Sequence, residues 1–259
     1  MTRSILVAVV ALLTMTAGCR PQDTPETSKP GSQSASTPVP VPSPVIVPAP
    51  QSADPESQAF QVAWGAPPPL RRAAPYTGRT NVEFLYEGGI LVPLGGDRYA
   101  FVSTGKRNFA SHADTAALSI HYLRRTATGF ERTGAWPEFL ADGTTGEPPT
   151  WTVRSDLTPA PAILTEASGV WQGYGCTWSR LIELAPEGPV LRTDLIPIGY
   201  DSSGAKGDAG ADRMDGVVQP GAKGRSFVVR YTGDRRTDVT YALTGAKYEP
   251  TTKPELPTC

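Results

Sequence analysis

The chain has 259 residues, with 24 basic and 25 acidic side chains, two histidines, three cysteines and 27 prolines. A net charge of −1 without a long run of lysine or arginine argues against a nucleic-acid partner, because such proteins bind largely by neutralising phosphates. Two histidines leave little room for a histidine-based metal site or catalytic triad. A hydrophobic content of 39% is enough for a folded core. We expect a folded protein without nucleic-acid partner or cofactor.

The N-terminus has the pattern of an export signal. Arg3 precedes the apolar run Ile5–Leu13, which is about half of the ~20 residues that a membrane-spanning helix needs. The segment Thr16-Ala17-Gly18-Cys19 that follows resembles the lipobox of bacterial lipoproteins, although that family usually has Leu where this chain has Thr16. The resemblance implies a signal peptide over residues 1–18, cleavage before Cys19, and a lipid anchor on Cys19 that includes palmitate-type acyl chains.

The residue after the lipobox cysteine bears on the location of the protein. In proteobacterial lipoproteins, Asp at that position tends to retain the protein in the inner membrane, whereas this chain has Arg20. The resemblance therefore implies a lipid-anchored protein of the cell envelope, in the outer rather than the inner membrane of a Gram-negative host.

Residues 19–58 have the amino-acid composition of a linker. The stretch from Pro21 to Ser57 contains ten prolines and seven serines and no aromatic residue, so it lacks the apolar surface that would offset the entropy of ordering. Its Pro-Val-Pro and Pro-Ala-Pro pieces favour extended polyproline II, and about 39 such residues would reach ~120 Å. We interpret the segment as a disordered tether that holds a domain away from the membrane; a proline-rich peptide ligand is the alternative.

The remaining residues, 59–259, predict a β-rich globular domain. Apolar residues alternate with polar ones in short runs that turn signals separate, whereas no segment has a twelve-residue helical stripe. The sequence predicts a mainly β fold, an antiparallel sandwich or a barrel-like domain, with a partial β-propeller as the alternative; one or two helical turns are expected over His112–Ser119. The predicted strands are Asn81–Tyr86, Gly89–Leu94, Arg98–Ser103, Leu118–Arg125, Thr150–Arg154, Val170–Leu184, Val190–Ile198, Ser226–Tyr231, Asp238–Leu243 and Ala246–Glu249.

Cysteine usage predicts one disulfide. With Cys19 acylated, Cys176 and Cys259 remain in an oxidising compartment. A bridge between them would close a loop of about 84 residues and stabilise the fold by roughly 4–5 kcal/mol on the chain-entropy model. It would also fasten the proline-broken C-terminal tail.

The segment Gly169–Arg180 is the richest in aromatic side chains. Read as one strand, it places Tyr174, Cys176 and Trp178 on one face, and Trp171 on the other with two glycines. Trp171, Tyr174 and Trp178 are candidate binding residues. An exposed Trp171 indole over the two glycines would offer a flat stacking surface, whereas the face of Tyr174, Cys176 and Trp178 is interpreted as core packed around the disulfide. Packing within the core is the alternative for each of them.

A glycine- and aspartate-rich stretch over 201–216 supplies the only weak metal candidates, Asp208, Asp212 and Asp215. Their oxygens suit calcium, but the spacing differs from the EF-hand pattern, and Lys206 and Arg213 lie among them. We therefore interpret this stretch as a solvated loop without a metal.

No catalytic motif stands out. Ser103 and Lys106 have a Ser-x-x-Lys spacing, but they lie in a segment with a β-strand pattern, and the companion motifs of the penicillin-binding enzymes are missing. We expect a non-enzymatic binding module whose partner is an envelope protein, as in an inhibitor or immunity-type protein, or a cell-wall glycan. An envelope hydrolase whose serine or carboxylate site is assembled by folding, and a structural component of an envelope assembly, remain the alternatives.

Overall fold

The computed structural model describes residues 54–76 and 80–253. The predicted signal peptide, Cys19, the tether up to residue 53 and Cys259 lie outside these ranges. Within the described ranges, no helix is long and apolar enough to cross a membrane. The prediction of a mainly β, antiparallel fold is confirmed, since every strand pair is antiparallel and two sheets account for most of the domain.

The chain builds the two sheets one after the other. The first is six-stranded, with β1, β2, β4, β5 and β6 in that order and β3 beside β4. Its strands are β1 Leu70–Tyr76, β2 Thr80–Tyr86, β3 Ile90–Gly95, β4 Arg98–Arg107, β5 Ala116–Thr126 and β6 Gly129–Asp142.

The second sheet is nine-stranded and runs from β15 through β14, β13, β12, β11, β9 and β8 to β7, with β10 also paired to β9. It curls into a half-barrel, and the edge strand β15 reaches the segment after β10, where Tyr248 N donates to Arg192 O at 2.7 Å. Its strands are β7 Thr150–Arg154, β8 Ala162–Trp171, β9 Tyr174–Ala185, β10 Gly188–Leu191, β11 Ile196–Asp201, β12 Arg213–Pro220, β13 Ser226–Gly233, β14 Thr237–Thr244 and β15 Lys247–Pro250.

A helix, α1 (Pro55–Trp64), precedes the first sheet. The Asp54 carboxylate accepts hydrogen bonds from the backbone N–H groups of Glu56 and Ser57, and Gly65 ends the helix at φ +74°. The helix was not predicted, and it begins before the expected domain boundary at residue 59. Its N-cap lies in a proline- and serine-rich part of the sequence, and only Ala59, Phe60 and Ala63 of its ten residues are buried, so the sequence shows no clear helical pattern here.

The first sheet is covered on both faces, because its side chains alternate between two cores. Phe101 of β4 packs towards Phe60 of α1, and its neighbours Ala100 and Val102 face the opposite core. That second core includes Ile163 of β8 and Ile182 of β9, so one face of the β8–β9 hairpin packs against the first sheet and the other face points into a third core. The third core fills the half-barrel and contains residues such as Leu181, Phe227 and Tyr241.

Two local predictions are wrong. The run Val170–Leu184 is not one strand, because the chain reverses at Gln172 and Gly173 between β8 and β9. The helical turns expected over His112–Ser119 are absent, because the segment from Ala116 pairs with β4 and β6 as part of β5. A second short helix, α2 (Ser203–Lys206), lies in the predicted glycine–aspartate loop.

Candidate functional site

A pocket of about 540 Å³ lies between the β8–β9 hairpin and the end of β6. Its walls come from the loop after β4, the end of β6, the tip of the hairpin and the residue before β11. The side chains that give it chemical character are His112, Asp142, Trp171, Trp178, Arg180 and Leu195. The sequence predicted two of these six residues, Trp171 and Trp178, as binding residues.

The turn of the hairpin brings the two tryptophans together. Gln172 and Gly173 both have positive φ, +52° and +84°, and form a two-residue turn that sets Trp171 directly opposite Tyr174. Cross-strand partners share a face, so Trp171 lies on the same side of the hairpin as Trp178. The predicted placement of these tryptophans on opposite faces is therefore wrong, since it assumed an unbroken strand.

Glycine provides the space in which the Trp171 indole lies. Gly169 precedes Trp171 on the same face, and a Cβ at position 169 would overlap the indole ring. The Trp171 ring folds back over Gly169 towards Trp178, with the ring centroids 5.9 Å apart and the planes tilted by 34°. With 40% of its surface exposed, Trp171 presents a flat apolar platform to solvent.

A buried charge pair lies beside this platform. Asp142, at the end of β6, is 3% exposed, and its Oδ1 accepts hydrogen bonds from Trp178 Nε1 and Gly143 N, both at 2.8 Å. Its Oδ2 lies 3.4 Å from Nε of Arg180, whose side chain is largely buried. Asp142 thus fixes the Trp178 ring and neutralises Arg180, and the pocket contains two opposite charges that balance.

The loops around the pocket contain unusual backbone conformations. Among the described residues, four that are not glycine have positive φ, and three of them lie in these loops: Phe109, Thr145 and Gln172. Phe109, at φ +55°, is also fully exposed, although a bulky residue in this region of φ/ψ space is a genuine outlier. Phe109 and Thr145 lie in the loops that follow β4 and β6, and both loops also contribute residues to the pocket.

The third candidate binding residue, Tyr174, is not among the residues that line the pocket. Its ring stacks on Tyr200 of β11, with centroids 6.3 Å apart. Cys176 is buried and lies opposite Gly169 in the hairpin. Its predicted partner Cys259 is outside the described residues, so the disulfide stays a prediction.

The aspartates of the glycine-rich stretch do not converge. Asp208 pairs with Arg213 at 2.6 Å and Asp212 pairs with Lys206 at 2.6 Å, while Asp215 is exposed on β12. In residues 54–76 and 80–253, no group of three or more His, Cys, Asp or Glu side chains is placed to hold a metal ion. The basic residues within the stretch occupy the carboxylates that calcium would need.

The Ser-x-x-Lys pair is not a dyad. Ser103 is buried, whereas Lys106 is exposed and forms an ion pair with Glu147 at 2.5 Å. Residues three apart on a strand point to opposite faces, so the lysine amine cannot reach the serine hydroxyl.

Folding does assemble one serine–carboxylate cluster, beneath α1. Tyr86 donates to Glu138 Oε1 at 3.0 Å, Ser119 lies 3.0 Å from the Tyr86 hydroxyl, and Arg72 Nε donates to the same carboxylate oxygen at 2.9 Å. Burial raises the pKa of Tyr86 well above its usual range. Tyr86 and Ser119 have no exposed surface, so the serine hydroxyl is closed to any substrate outside, whereas Arg72 and Glu138 are partly exposed.

A histidine completes this buried cluster. The His121 ring is 2% exposed and lies 4.5 Å from the Trp64 ring of α1, measured between centroids. Burial, together with the positive charges of Arg132 and Arg72, lowers the pKa of His121 to about 4. The imidazole is therefore neutral at ordinary pH, as expected of a histidine within a core.

Comparison with known proteins returns no match. No family model, no curated protein and no solved structure matches the chain.

Proposed function

We propose that the protein is an envelope lipoprotein, anchored through Cys19, whose β domain binds a ligand in the pocket beneath Trp171 without transforming it. The observation that carries this proposal is the exposed Trp171 platform, which lies over Gly169 beside the balanced Asp142–Arg180 pair. Binding pockets combine apolar or aromatic surface with a few fixed polar groups, and this pocket has both.

The hydrogen bonding of the candidate catalytic groups supports binding over hydrolysis. In the pocket, Asp142 accepts two hydrogen bonds on Oδ1, and its Oδ2 forms an ion pair with Nε of Arg180 at 3.4 Å, so the carboxylate is held by the pocket's own groups. Beneath α1, the Tyr86 hydroxyl donates its hydrogen bond to Glu138. Ser119 therefore donates a hydrogen bond to the Tyr86 oxygen and accepts a second hydrogen bond from the backbone N–H of Glu138. This serine lacks both solvent access and a free base.

The anchor and tether give the pocket its proposed location. Acylation of Cys19 would hold the chain on a membrane, and the proline-rich segment would let the domain search a radius of up to ~120 Å around the anchor. A predicted disulfide between Cys176 and Cys259 suits the same oxidising compartment. We place the protein in the cell envelope, on the outer membrane of a Gram-negative host.

The anchor has a direct test. We expect the Cys19→Ser variant to be unlipidated and to leave the membrane fraction, whereas the unchanged protein stays in it until detergent is added. Mass spectrometry of the mature N-terminus should find acyl chains on Cys19 and none on the variant. An unmodified Cys19, or a Cys19→Ser protein that stays in the membrane, would contradict the anchor.

Binding has a separate test. The full-length protein in detergent is immobilised and exposed to solubilised envelope and to purified cell wall, and retained material is identified. The matched variants are Trp171→Ala, which removes the platform, and Val170→Ala, which trims the adjacent exposed residue on the opposite face of the same strand. We expect retention by the unchanged protein and by Val170→Ala, and at least a tenfold loss with Trp171→Ala. Equal retention by both variants would refute the pocket as the site.

A further inference from the structure

We propose that the pocket binds a pyranose unit of an uncharged glycan, with the apolar face of the sugar ring on Trp171. This inference rests on the proposed binding function and names the class of ligand. It follows from three properties of the pocket: the orientation of the indole, the free hydrogen-bond donors beside it, and the balance of its charges.

The platform matches the shape of a sugar ring. A pyranose carries C–H bonds on its faces and hydroxyl groups around its edge, so it stacks flat on an aromatic ring and makes its hydrogen bonds sideways. Trp171 is held flat because its ring lies over Gly169, and Trp178 continues the surface at an angle of 34°. Trp178 cannot rotate freely, since Asp142 accepts a hydrogen bond from its Nε1.

Polar groups stand where the edge of such a ring would lie. Within the described part of the chain, the terminal amino groups of Arg180 donate to no protein acceptor, so they are available to a hydroxyl or carbonyl oxygen. Thr144 donates to Ser168 O at 2.7 Å and keeps its oxygen lone pairs as acceptors for a sugar hydroxyl. The exposed His112 adds a further group at the rim.

The charges favour a neutral ligand. Asp142 compensates the charge of Arg180 at 3.4 Å, so an anionic sugar would give up its hydration without gaining an unpaired cation. A neutral sugar loses less hydration and still receives the hydrogen bonds of the guanidinium group.

A peptide fits these features less well. Peptides are commonly recognised through backbone hydrogen bonds along a free strand edge. Trp178 and Arg180 instead stand on the face of β9, whose backbone is paired with β8 on one side and with β10 and β11 on the other. The groups that β9 contributes to the pocket are therefore side chains.

The test uses defined oligosaccharides and one variant made for this geometry. Gly169→Ala adds a methyl group where the Trp171 ring lies, and the half-exposed ring must swing away, while every aromatic and charged group of the pocket is kept. Chitotetraose, cellotetraose and maltotetraose serve as neutral probes, a tetragalacturonate serves as the acidic probe, and a peptide of residues 38–50 serves as the proline-rich probe. Calorimetric titration into the full-length protein in detergent measures each affinity.

We expect at least one neutral tetrasaccharide to bind, with affinity reduced tenfold or more by Gly169→Ala and by Trp171→Ala and unchanged by Val170→Ala. Circular dichroism verifies that each variant is folded, and Trp171→Ala decides the outcome where Gly169→Ala does not fold. The inference is overturned when no neutral tetrasaccharide binds, when the acidic or the proline-rich probe binds more tightly, or when Trp171→Ala leaves sugar binding intact. If an envelope protein is retained through Trp171 and no sugar binds, the glycan inference is refuted, whereas the proposed binding function is supported.

Discussion

The buried histidine beneath α1 makes the stability of the protein depend on pH in a way that can be calculated. His121 has a folded-state pKa of about 4, lowered first by burial and then by Arg132 and Arg72. In the unfolded chain its pKa returns to about 6.5. As pH falls below 6.5, the unfolded chain therefore binds a proton that the folded protein does not accept until about pH 4. The contribution of His121 to the free energy of unfolding therefore falls as the pH is lowered from 6.5 to about 4 and is constant below that.

The size of the effect follows from the two pKa values. A gap of about 2.5, at 1.36 kcal/mol for each unit, is about 3 kcal/mol over the whole window. Between pH 7 and pH 5 the expected loss is about 2 kcal/mol. This is a large fraction of the 5–15 kcal/mol that is typical of a folded domain.

Urea unfolding at pH 7 and pH 5 measures this loss. Carboxylates titrate in the same range, so the informative quantity is the difference between the unchanged protein and His121→Phe, which keeps an aromatic ring and removes the titrating group. We expect the unchanged protein to lose about 2 kcal/mol more than His121→Phe between the two pH values. The control is His112→Phe, which makes the same substitution at the second histidine, whose side chain is exposed.

Parallel pH profiles for the unchanged protein and His121→Phe would refute the reasoning. They would mean that the imidazole reaches water in the folded protein and that α1 does not seal the first sheet. His121→Gln provides a second non-titrating variant, so the comparison does not depend on how well phenylalanine fits beside Trp64.

Two further predictions concern the pocket and the disulfide. Asp142→Ala leaves the N–H groups of Trp178 and Gly143 without an acceptor and Arg180 without its counter-charge, and should lower the free energy of unfolding by about 3–5 kcal/mol; Asp142→Asn removes the charge but keeps an acceptor oxygen for the two N–H groups and should lose less, and equal losses in urea unfolding would contradict the assigned hydrogen bonds. Cys176→Ser should release a titratable thiol at Cys259 and lower the melting temperature, and a thiol count and melt unchanged from those of the natural protein would rule out the bridge.

The sequence predicts the class of fold because alternation along a strand is a local signal. Prediction from the sequence is wrong where a glycine is needed for packing and not for a turn. Gly216 lies in the predicted glycine–aspartate loop, yet it belongs to β12, where a Cβ would lie 2.7 Å from the Tyr231 ring. Glycine there makes room for a core aromatic across the strand pair, which the sequence does not distinguish from glycine in a turn.

The site was predicted in part for a similar reason. Trp171 and Trp178 lie close together in the sequence, and both were recognised, but the two-residue turn at Gln172 that puts them on one face was not. Asp142 is 36 residues from Trp178, and only the packing of the two sheets brings them together. Arg180 carried a usable signal, because it follows Trp178 by two residues on the same strand and so shares its face.

The indole N–H signals of the five tryptophans test the central claim most directly. Trp171 and Trp178 line the pocket, whereas Trp64, Trp136 and Trp151 pack against the cores. Nitrogen-15 NMR spectra of the full-length protein in detergent are recorded with and without the ligand retained from the envelope. The account predicts that the signals of Trp171 and Trp178 shift on binding and that the other three stay in place. Binding that moves the other signals and leaves these two unchanged would contradict it.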